Sequence, residues 1–147
     1  MKVCVCGSIA FYDQMALVKK ELEKAGHEVD IPHSEFTDGN GNAMAIKDAY
    51  AFRQTAKREQ AWVWAEKRNA LEGHFRKVGW ADAILVLNYE KKGVPGYVGA
   101  NTLIEMGLAL YLKKKIFLLN PVPEQGSTEE LLGMQPIVLD GDLTKVR

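Results

Sequence analysis

One glutamate stands in a segment that is otherwise apolar. From Leu103 to Leu112 nearly every helical face is apolar, and Glu105 is the only charged residue. Such a helix is expected to be buried. A buried carboxylate costs free energy unless it is hydrogen-bonded or faces a cleft, and burial raises its pKa. A carboxyl group in this setting can serve as a nucleophile or as an acid–base group.

Glu105 also has a structural interpretation. The residues Thr102 to Glu105 have the spacing of a capping box, in which the glutamate accepts a hydrogen bond from the backbone N–H of the cap residue. A glutamate in the first turn of a helix would also lie at the edge of a cleft. The local pattern therefore leaves both capping and catalysis open.

A short turn, Gly7-Ser8-Ile9, follows the first predicted strand and opens a helix. Backbone N–H groups at such a place can hold an anion or a sugar hydroxyl, although Ser8 is also a common turn or cap residue. No G-x-G-x-x-G is present, so the turn is not a dinucleotide fingerprint. Phe11, just beyond it, could stack on a planar ligand or pack in the core.

Four further polar residues lie near the ends of predicted elements. His74, near the end of a long helical region, is either an acid–base group or a helix-terminus residue. Asp82 precedes the third strand, a usual place for a turn or backbone cap. Asn88 stands at the carboxyl end of that strand, where a ligand would pass, and Asn101 is a predicted helix N-cap.

Short apolar strands alternate with helices along the chain. The predicted strands are Val3 to Cys6, Glu28 to Ile31, Ala83 to Leu87, Lys115 to Leu119 and a fifth from Pro136 to Leu139. The predicted helices cover 11–25, a long region 43–78 that is broken once near 69–73, and 101–112, with loops at 34–42 and 88–99.

This alternation predicts a flavodoxin-like (Rossmann-like) α/β fold in a single domain, 1–147: a doubly wound sheet of about five mainly parallel strands with helices on both faces. Ligands bind such sheets beyond the carboxyl ends of the strands, where the strand order reverses. Chemistry is therefore expected at 7–13, at 88–102 and in the loop after Ile31.

Composition narrows the classes of function. Nineteen basic and nineteen acidic residues give a formal net charge of zero, which argues against nucleic acid or a membrane surface as partner. No apolar run approaches the length of a membrane span or of a signal peptide's apolar region, so a cytoplasmic protein is expected.

The sequence indicates neither a metal nor an organic cofactor, and none is expected. Cys4 and Cys6, the only cysteines, have no histidine near them in sequence and are predicted to be core residues.

Trp62 and Trp64 lie two positions apart in the long helical region. Residues at that spacing cannot share one face of a helix. One of them is therefore expected to be exposed or in an interface, which indicates a homo-oligomer.

Three segments together resemble the nucleoside 2-deoxyribosyltransferase family and the related 2'-deoxynucleoside 5'-monophosphate N-glycosidases, over about 2–119. The segments are Val-Cys-Gly-Ser-Ile-Ala-Phe-Tyr-Asp, Trp-Ala-Asp-Ala-Ile-Leu-Val-Leu-Asn and Gly-Ala-Asn-Thr-Leu-Ile-Glu-Met-Gly-Leu-Ala-Leu. The third is the most specific, because the family's nucleophile is the glutamate of a Glu-x-Gly-x-Ala pattern. Here that pattern is Glu105-Met-Gly107-Leu-Ala109.

The resemblance implies a double displacement on a nucleoside or nucleoside monophosphate. Glu105 would attack the anomeric carbon and expel the base, and water or a second base would then resolve the glycosyl ester. It also implies a homodimer or larger homo-oligomer in which a neighbouring chain completes the pocket. The residues expected to bind substrate are Gly7, Ser8 and Ile9 at the sugar or phosphate, Phe11 at the base, and Asp82, Asn88, Gly99 and Asn101.

The chain departs from the family at four positions. Two family aspartates are replaced by His74 and Gly99, a tyrosine by Val5, and the arginine of the monophosphate hydrolases by Ala10. His74 is predicted to take over as the acid–base group. The departures keep a second class open, a non-catalytic nucleotide or nucleotide-sugar binding protein on the same scaffold. The tryptophans keep a third open, an oligomeric interaction module.

Overall fold

The structure is a computed structural model that describes all 147 residues. None of its helices combines the length and apolarity needed to cross a membrane. The strands are β1 (Lys2–Gly7), β2 (Glu28–Asp30), β3 (Glu35–Thr37), β4 (Ala43–Ala45), β5 (Ala83–Leu87), β6 (Lys115–Leu118) and β7 (Ile137–Val138). The helices are α1 (Tyr12–Lys24), α2 (Ile46–Thr55), α3 (Ala61–Trp80), α4 (Ala100–Tyr111) and α5 (Thr128–Gly133), with short 3-10 helices at Ile9–Phe11 and Leu143–Lys145.

Five parallel strands form the main sheet in the order β2-β1-β5-β6-β7. The chain steps from β1 outward to β2 and then crosses to β5 on the other side of β1, so the strand order reverses between β1 and β5. The predicted flavodoxin-like α/β fold is confirmed. A ligand cleft is expected beyond the carboxyl ends of β1 and β5.

The two faces of the sheet follow from alternation along β1. Val3 and Val5 pack with the residues of α1 in one apolar cluster. Cys4 and Cys6 point to the opposite face, in the cluster that includes Met106 of α4. All four β1 side chains are fully buried, because helices cover both faces of the sheet.

The segment after Ile31 is a small antiparallel hairpin, and its prediction as a loop followed by a helix from Ala43 was wrong. Strand β3 pairs with β4 so that Phe36 faces Met44. The Asp38 carboxylate holds the turn by accepting hydrogen bonds from the backbone N–H groups of Asn40 and Asn42. The Gly and Asn content of 34–42 thus marks a turn between strands, and α2 begins only at Ile46.

The long helical region breaks at 56–60 and not near 69–73 as predicted. The turn is stabilised by the Gln60 side chain, which accepts a hydrogen bond from the backbone N–H of Lys57. It folds α2 back on α3, so that Phe52 contacts Trp62 with ring centroids 5.4 Å apart. Gly73 lies buried inside α3, where packing compensates for its low helix propensity.

Candidate active site

Glu105 lies in the second turn of α4, with only 3% of its surface exposed. The N-cap residue of α4 is Gly99, which has no side chain to form a cap, and Thr102 is buried inside the helix. The capping-box interpretation is therefore wrong. The prediction of Asn101 as N-cap is also wrong, because the helix begins before it.

One carboxylate oxygen of Glu105 is held and the other is free. Oε1 accepts a hydrogen bond from Asn101 Nδ2 at 3.0 Å, and Asn101 Oδ1 in turn accepts one from Lys67 Nζ at 2.6 Å. Oε2 is buried with no hydrogen-bond partner. A buried carboxylate oriented on one side and unsatisfied on the other is unusual for a purely structural residue.

His74 lies beside this carboxylate, with Nε2 3.8 Å from Glu105 Oε1. Burial raises the pKa of Glu105 to about 7, against the opposing effect of the neighbouring His74 charge. Burial also depresses the pKa of His74, but hydrogen bonding to Cys4 and the charge of Glu105 outweigh it and raise that pKa overall. The pKa of Glu105 is thus brought close to neutral pH, and that of His74 lies above its ordinary value.

Two thiols complete the surroundings of His74. Its Nε2 lies 3.5 Å from Cys6 Sγ and 3.7 Å from Cys4 Sγ. Hydrogen bonding with Cys6 lowers the pKa of the Cys4 thiol to about 6 despite its burial, while the same contact and burial raise that of Cys6. No local sequence signal indicates this cluster, because His74 is 68 positions from Cys6 and 70 positions from Cys4.

A cleft of about 300 Å³ opens at the predicted edge of the sheet, between the turn after β1 and the start of α4. Four of its lining residues are cationic and none is acidic. Its polar and aromatic lining includes Ser8, Tyr50, Arg53, Lys67, Lys91 and Tyr97.

Lys91 lies at the centre of the cleft wall. Its Nζ donates hydrogen bonds to Ser8 Oγ at 2.7 Å and to the Tyr50 hydroxyl at 2.9 Å. The same ammonium group lies 5.1 Å from the ring centroid of Tyr50 and 5.7 Å from that of Tyr97. The ammonium group of Lys91 is thus held in a position where it can bind an anion in the cleft.

A smaller inner chamber of about 50 Å³ lies beside the cleft and is lined by Glu105, together with His33 and His74. It shares Gly7, Ile9, Arg53, Lys67 and Asn101 with the outer cleft. The site is therefore a cationic vestibule that leads to a buried carboxyl group.

The structure brings some of the predicted site residues together and separates others. Gly7, Ser8, Ile9, Gly99 and Asn101 line the cleft, and His74 and Glu105 line the inner chamber.

Three predicted residues do not line this site. Phe11 is buried and packs edge-on against Tyr89, with centroids 5.2 Å apart. Asp82 accepts a hydrogen bond from the backbone N–H of Lys2 at the amino edge of the sheet. Asn88 is fully buried, and its amide donates to the backbone carbonyl groups of Gly96, Asn120 and Pro121. Asn88 therefore holds the loop after β5 against the loop after β6.

Sequence reasoning missed the cationic and aromatic residues of the cleft. Lys91 belongs to a Glu-Lys-Lys run in the glycine-rich loop, which is the one signal that could have indicated an anion site. Trp64 lines the cleft and is 40% exposed, whereas Trp62 packs on Phe52. The prediction that one of the two tryptophans is exposed is confirmed for Trp64.

Comparison with known proteins establishes the fold. No protein-family model matches the chain, and no curated protein does. The structure of a 2-deoxyribosyltransferase from Bacillus psychrosaccharolyticus is similar, with a TM-score of 0.51 and 14% identity over 82% of this chain and 73% of that chain. The structure of a CMP N-glycosidase, BcmB, from Clostridium botulinum gives a TM-score of 0.45 and 17% identity over 94% of this chain and 85% of that chain.

Proposed function

We propose that this protein cleaves or exchanges the N-glycosidic bond of a nucleoside 5'-monophosphate, with Glu105 as the nucleophile. The observation that carries the proposal is the carboxylate of Glu105, which is buried and bound through one oxygen only. Its place at the end of a chamber reached through a cationic cleft gives it access to a small anionic substrate. The fold shared with a 2-deoxyribosyltransferase and the Glu-x-Gly-x-Ala pattern support the same chemistry.

The reaction proceeds in two displacements. Glu105 Oε2 attacks the anomeric carbon, the bond from that carbon to the base nitrogen breaks, and its electron pair leaves with the base. Asn101 holds Oε1 and so orients the attacking oxygen. Water then hydrolyses the glycosyl ester, or a second base replaces the first.

The departing base needs a proton, and His74 is the acid–base candidate of the inner chamber. Its Nδ1 is buried without a hydrogen-bond partner, so a proton there is free to be donated to a base in the chamber. Its protonated ring also favours the ionised form of Glu105 before the attack. His74 replaces the family aspartate at this position.

A phosphate on the substrate explains the charge of the cleft. Arg53, Lys67 and Lys91 line it with no carboxylate among them to neutralise them. Ser8 adds a hydroxyl that is already hydrogen-bonded to Lys91. Charge-assisted hydrogen bonds from such groups are the usual means of binding a phosphate group.

The exposed side of α4 supports association of copies of this chain. Ile104, Leu110 and Tyr111 are 48%, 49% and 82% exposed there, and apolar residues grouped on a surface mark interfaces. Light scattering of the purified protein is expected to give at least a dimer, and Tyr111→Glu is expected to weaken it. A monomer at high concentration would contradict this part of the proposal.

The test is a chromatographic assay of the purified protein, in the presence of a chelator, against nucleosides and their 5'-monophosphates. Each is run with and without a free acceptor base, beside Glu105→Ala. Release of free base that depends on Glu105 and is fastest with a monophosphate supports the proposal. A monophosphate that binds in calorimetry but is never consumed would reject it in favour of a nucleotide-binding protein.

A further inference from the structure

Cys4 and Cys6 contact His74 but have no role in the proposed glycosidic reaction. The two sulfur atoms and Nε2 of His74 all lie within 4.8 Å of one another. The two cysteines share a face of β1, and α3 places the histidine directly over them. The cysteines are buried in the core as predicted, but the fold brings His74 into contact with them although no histidine lies near them in sequence.

The spacing of these atoms matches a metal site. Zinc binds sulfur at about 2.3 Å and imidazole nitrogen at about 2.0 Å in a tetrahedron, which places neighbouring sulfur and nitrogen ligands about 3.5 Å apart. The observed distances from His74 Nε2 are 3.5 Å to Cys6 Sγ and 3.7 Å to Cys4 Sγ. An ion could therefore bind with little movement of the side chains.

A fourth ligand is in reach. Glu105 Oε1 lies 3.8 Å from His74 Nε2, and the other carboxylate oxygen has no partner. The relative exposures of Cys4, Cys6, His74 and Glu105 are 0%, 0%, 7% and 3%. Thiolate and imidazole ligands in a closed, four-coordinate setting select zinc over magnesium or calcium.

We propose that Cys4, Cys6 and His74 bind a zinc ion, with the Glu105 carboxylate as the fourth ligand. Binding displaces the thiol protons, and the resulting thiolates and carboxylate surround the ion. A Glu105 carboxylate that is bound to zinc cannot attack the sugar, so bound zinc is expected to inhibit turnover. This consequence rests on the proposed function, whereas zinc binding itself does not.

Cobalt reports the ligands directly. Metal-free, reduced protein is titrated with Co²⁺, and absorption from thiolate-to-cobalt charge transfer is followed, then displaced with Zn²⁺. The chain has no other cysteines, so this absorption can arise only from Cys4 and Cys6. One ion per chain is expected, with the absorption lost in Cys4→Ser/Cys6→Ser and affinity at least about 10-fold lower in His74→Gln.

A matched control uses another histidine. His27 precedes β2 at the amino end of the sheet and is not part of the cluster, so His27→Gln is expected to bind Co²⁺ as the unmodified chain does. Thermal melting shows which variants are folded. Zinc is expected to raise the melting temperature of the unmodified chain and of His27→Gln, but not that of Cys4→Ser/Cys6→Ser. Absence of thiolate absorption in the folded, unmodified chain would overturn the inference, as would absorption unaffected by His74→Gln.

Zinc added to the base-release assay separates the two proposals. Turnover that falls with stoichiometric zinc and returns with a chelator is expected, with the zinc sensitivity lost in Cys4→Ser/Cys6→Ser. Zinc binding without any base release in the chelated protein would uphold the metal site and refute the proposed function. Base release that is unaffected by bound zinc would refute the competition for Glu105.

Discussion

The two faces of the central sheet are built from alternate residues of the same strands but hold different chemistry. Toward α1, Val3, Val5 and Leu85 belong to a cluster with no polar side chain. Toward α3 and α4, Cys4 and Cys6 of the same strand contact His74. One face is an apolar core, and the other buries the titratable side chains of His74 and Glu105.

The difference shows where the fold accepts a cost in stability. Apolar burial on the α1 side favours folding, and the cluster there contains no buried polar side chain that would oppose it. On the other side, an unsatisfied oxygen of Glu105 and an unsatisfied nitrogen of His74 are buried without partners, which disfavours folding. Such a cost is typical of sites held ready for a substrate.

The largest expected effect concerns function on the polar face. Glu105→Gln keeps the shape and burial of the side chain but removes the carboxylate that we propose as the nucleophile, so base release is expected to fall on the order of 10⁴-fold or more. The measurement is steady-state turnover of a nucleoside monophosphate by the chelated protein. A fall of less than about tenfold would contradict the proposal that the activity depends on Glu105, on the polar face of the sheet.

On the apolar face the expected effect is on stability alone. Leu85→Ala removes a fully buried side chain and is expected to lower the free energy of unfolding by about 2–5 kcal/mol. Urea denaturation measures this, and turnover per folded molecule is expected to persist. Leu17→Ala on α1 is the matched control, since Leu17 is 65% exposed and its change should stay within about 0.5 kcal/mol.

The third prediction is that Glu105→Gln stabilises the protein, whereas Leu85→Ala destabilises it. The pKa of Glu105 rises from an ordinary 4.5 to about 7 in the folded chain, so the unmodified protein loses stability as pH rises through this window. Glutamine does not titrate, and Glu105→Gln is expected to be more stable by up to about 3 kcal/mol above pH 7.

This gap should shrink toward zero as pH falls below 4.5, where the carboxyl group becomes protonated in the unfolded chain as well as in the folded chain. Denaturation of both proteins across that pH range measures it. A gap that is constant with pH would show that Glu105 is not strained by its burial.

The smallest expected effect concerns the vestibule. Lys91→Ala removes a cation that donates to Ser8 Oγ and Tyr50, so kcat/KM for the monophosphate should fall about 10- to 30-fold, consistent with loss of one charge-assisted hydrogen bond. The unphosphorylated nucleoside should be affected much less. Lys20→Ala, on the exposed side of α1, is the control, and equal losses on both substrates with Lys91→Ala would remove the case for a phosphate.

The fold was predictable because its signals are local. Ala83 to Leu87 is apolar on both faces, which indicates a covered parallel strand, and Gly26 ends the first helix as expected. The hairpin of β3 and β4 was missed because three-residue strands leave no periodic pattern. The break at 56–60 lets Phe52 of α2 pack on Trp62 of α3, a tertiary contact that no periodic pattern in the sequence indicates.

The site was predictable only where a short pattern carried it. Glu105 stands out as a lone charge in an apolar helix, and the turn after β1 follows from the strand order. Lys91 and Arg53 reach the cleft from a loop and a helix far apart in the chain, as Cys4 and His74 reach each other. Contacts of that kind arise from tertiary packing and not from spacing.

The most direct test of the central claim is the mass of the protein during turnover. Chelated protein is mixed with a deoxynucleoside 5'-monophosphate, quenched in acid within the first turnovers, and digested for mass spectrometry. A sugar phosphate in ester linkage to Glu105, absent from Glu105→Gln, is the predicted result. Base release by the Glu105→Gln variant at the normal rate, or an adduct on another residue, would contradict it.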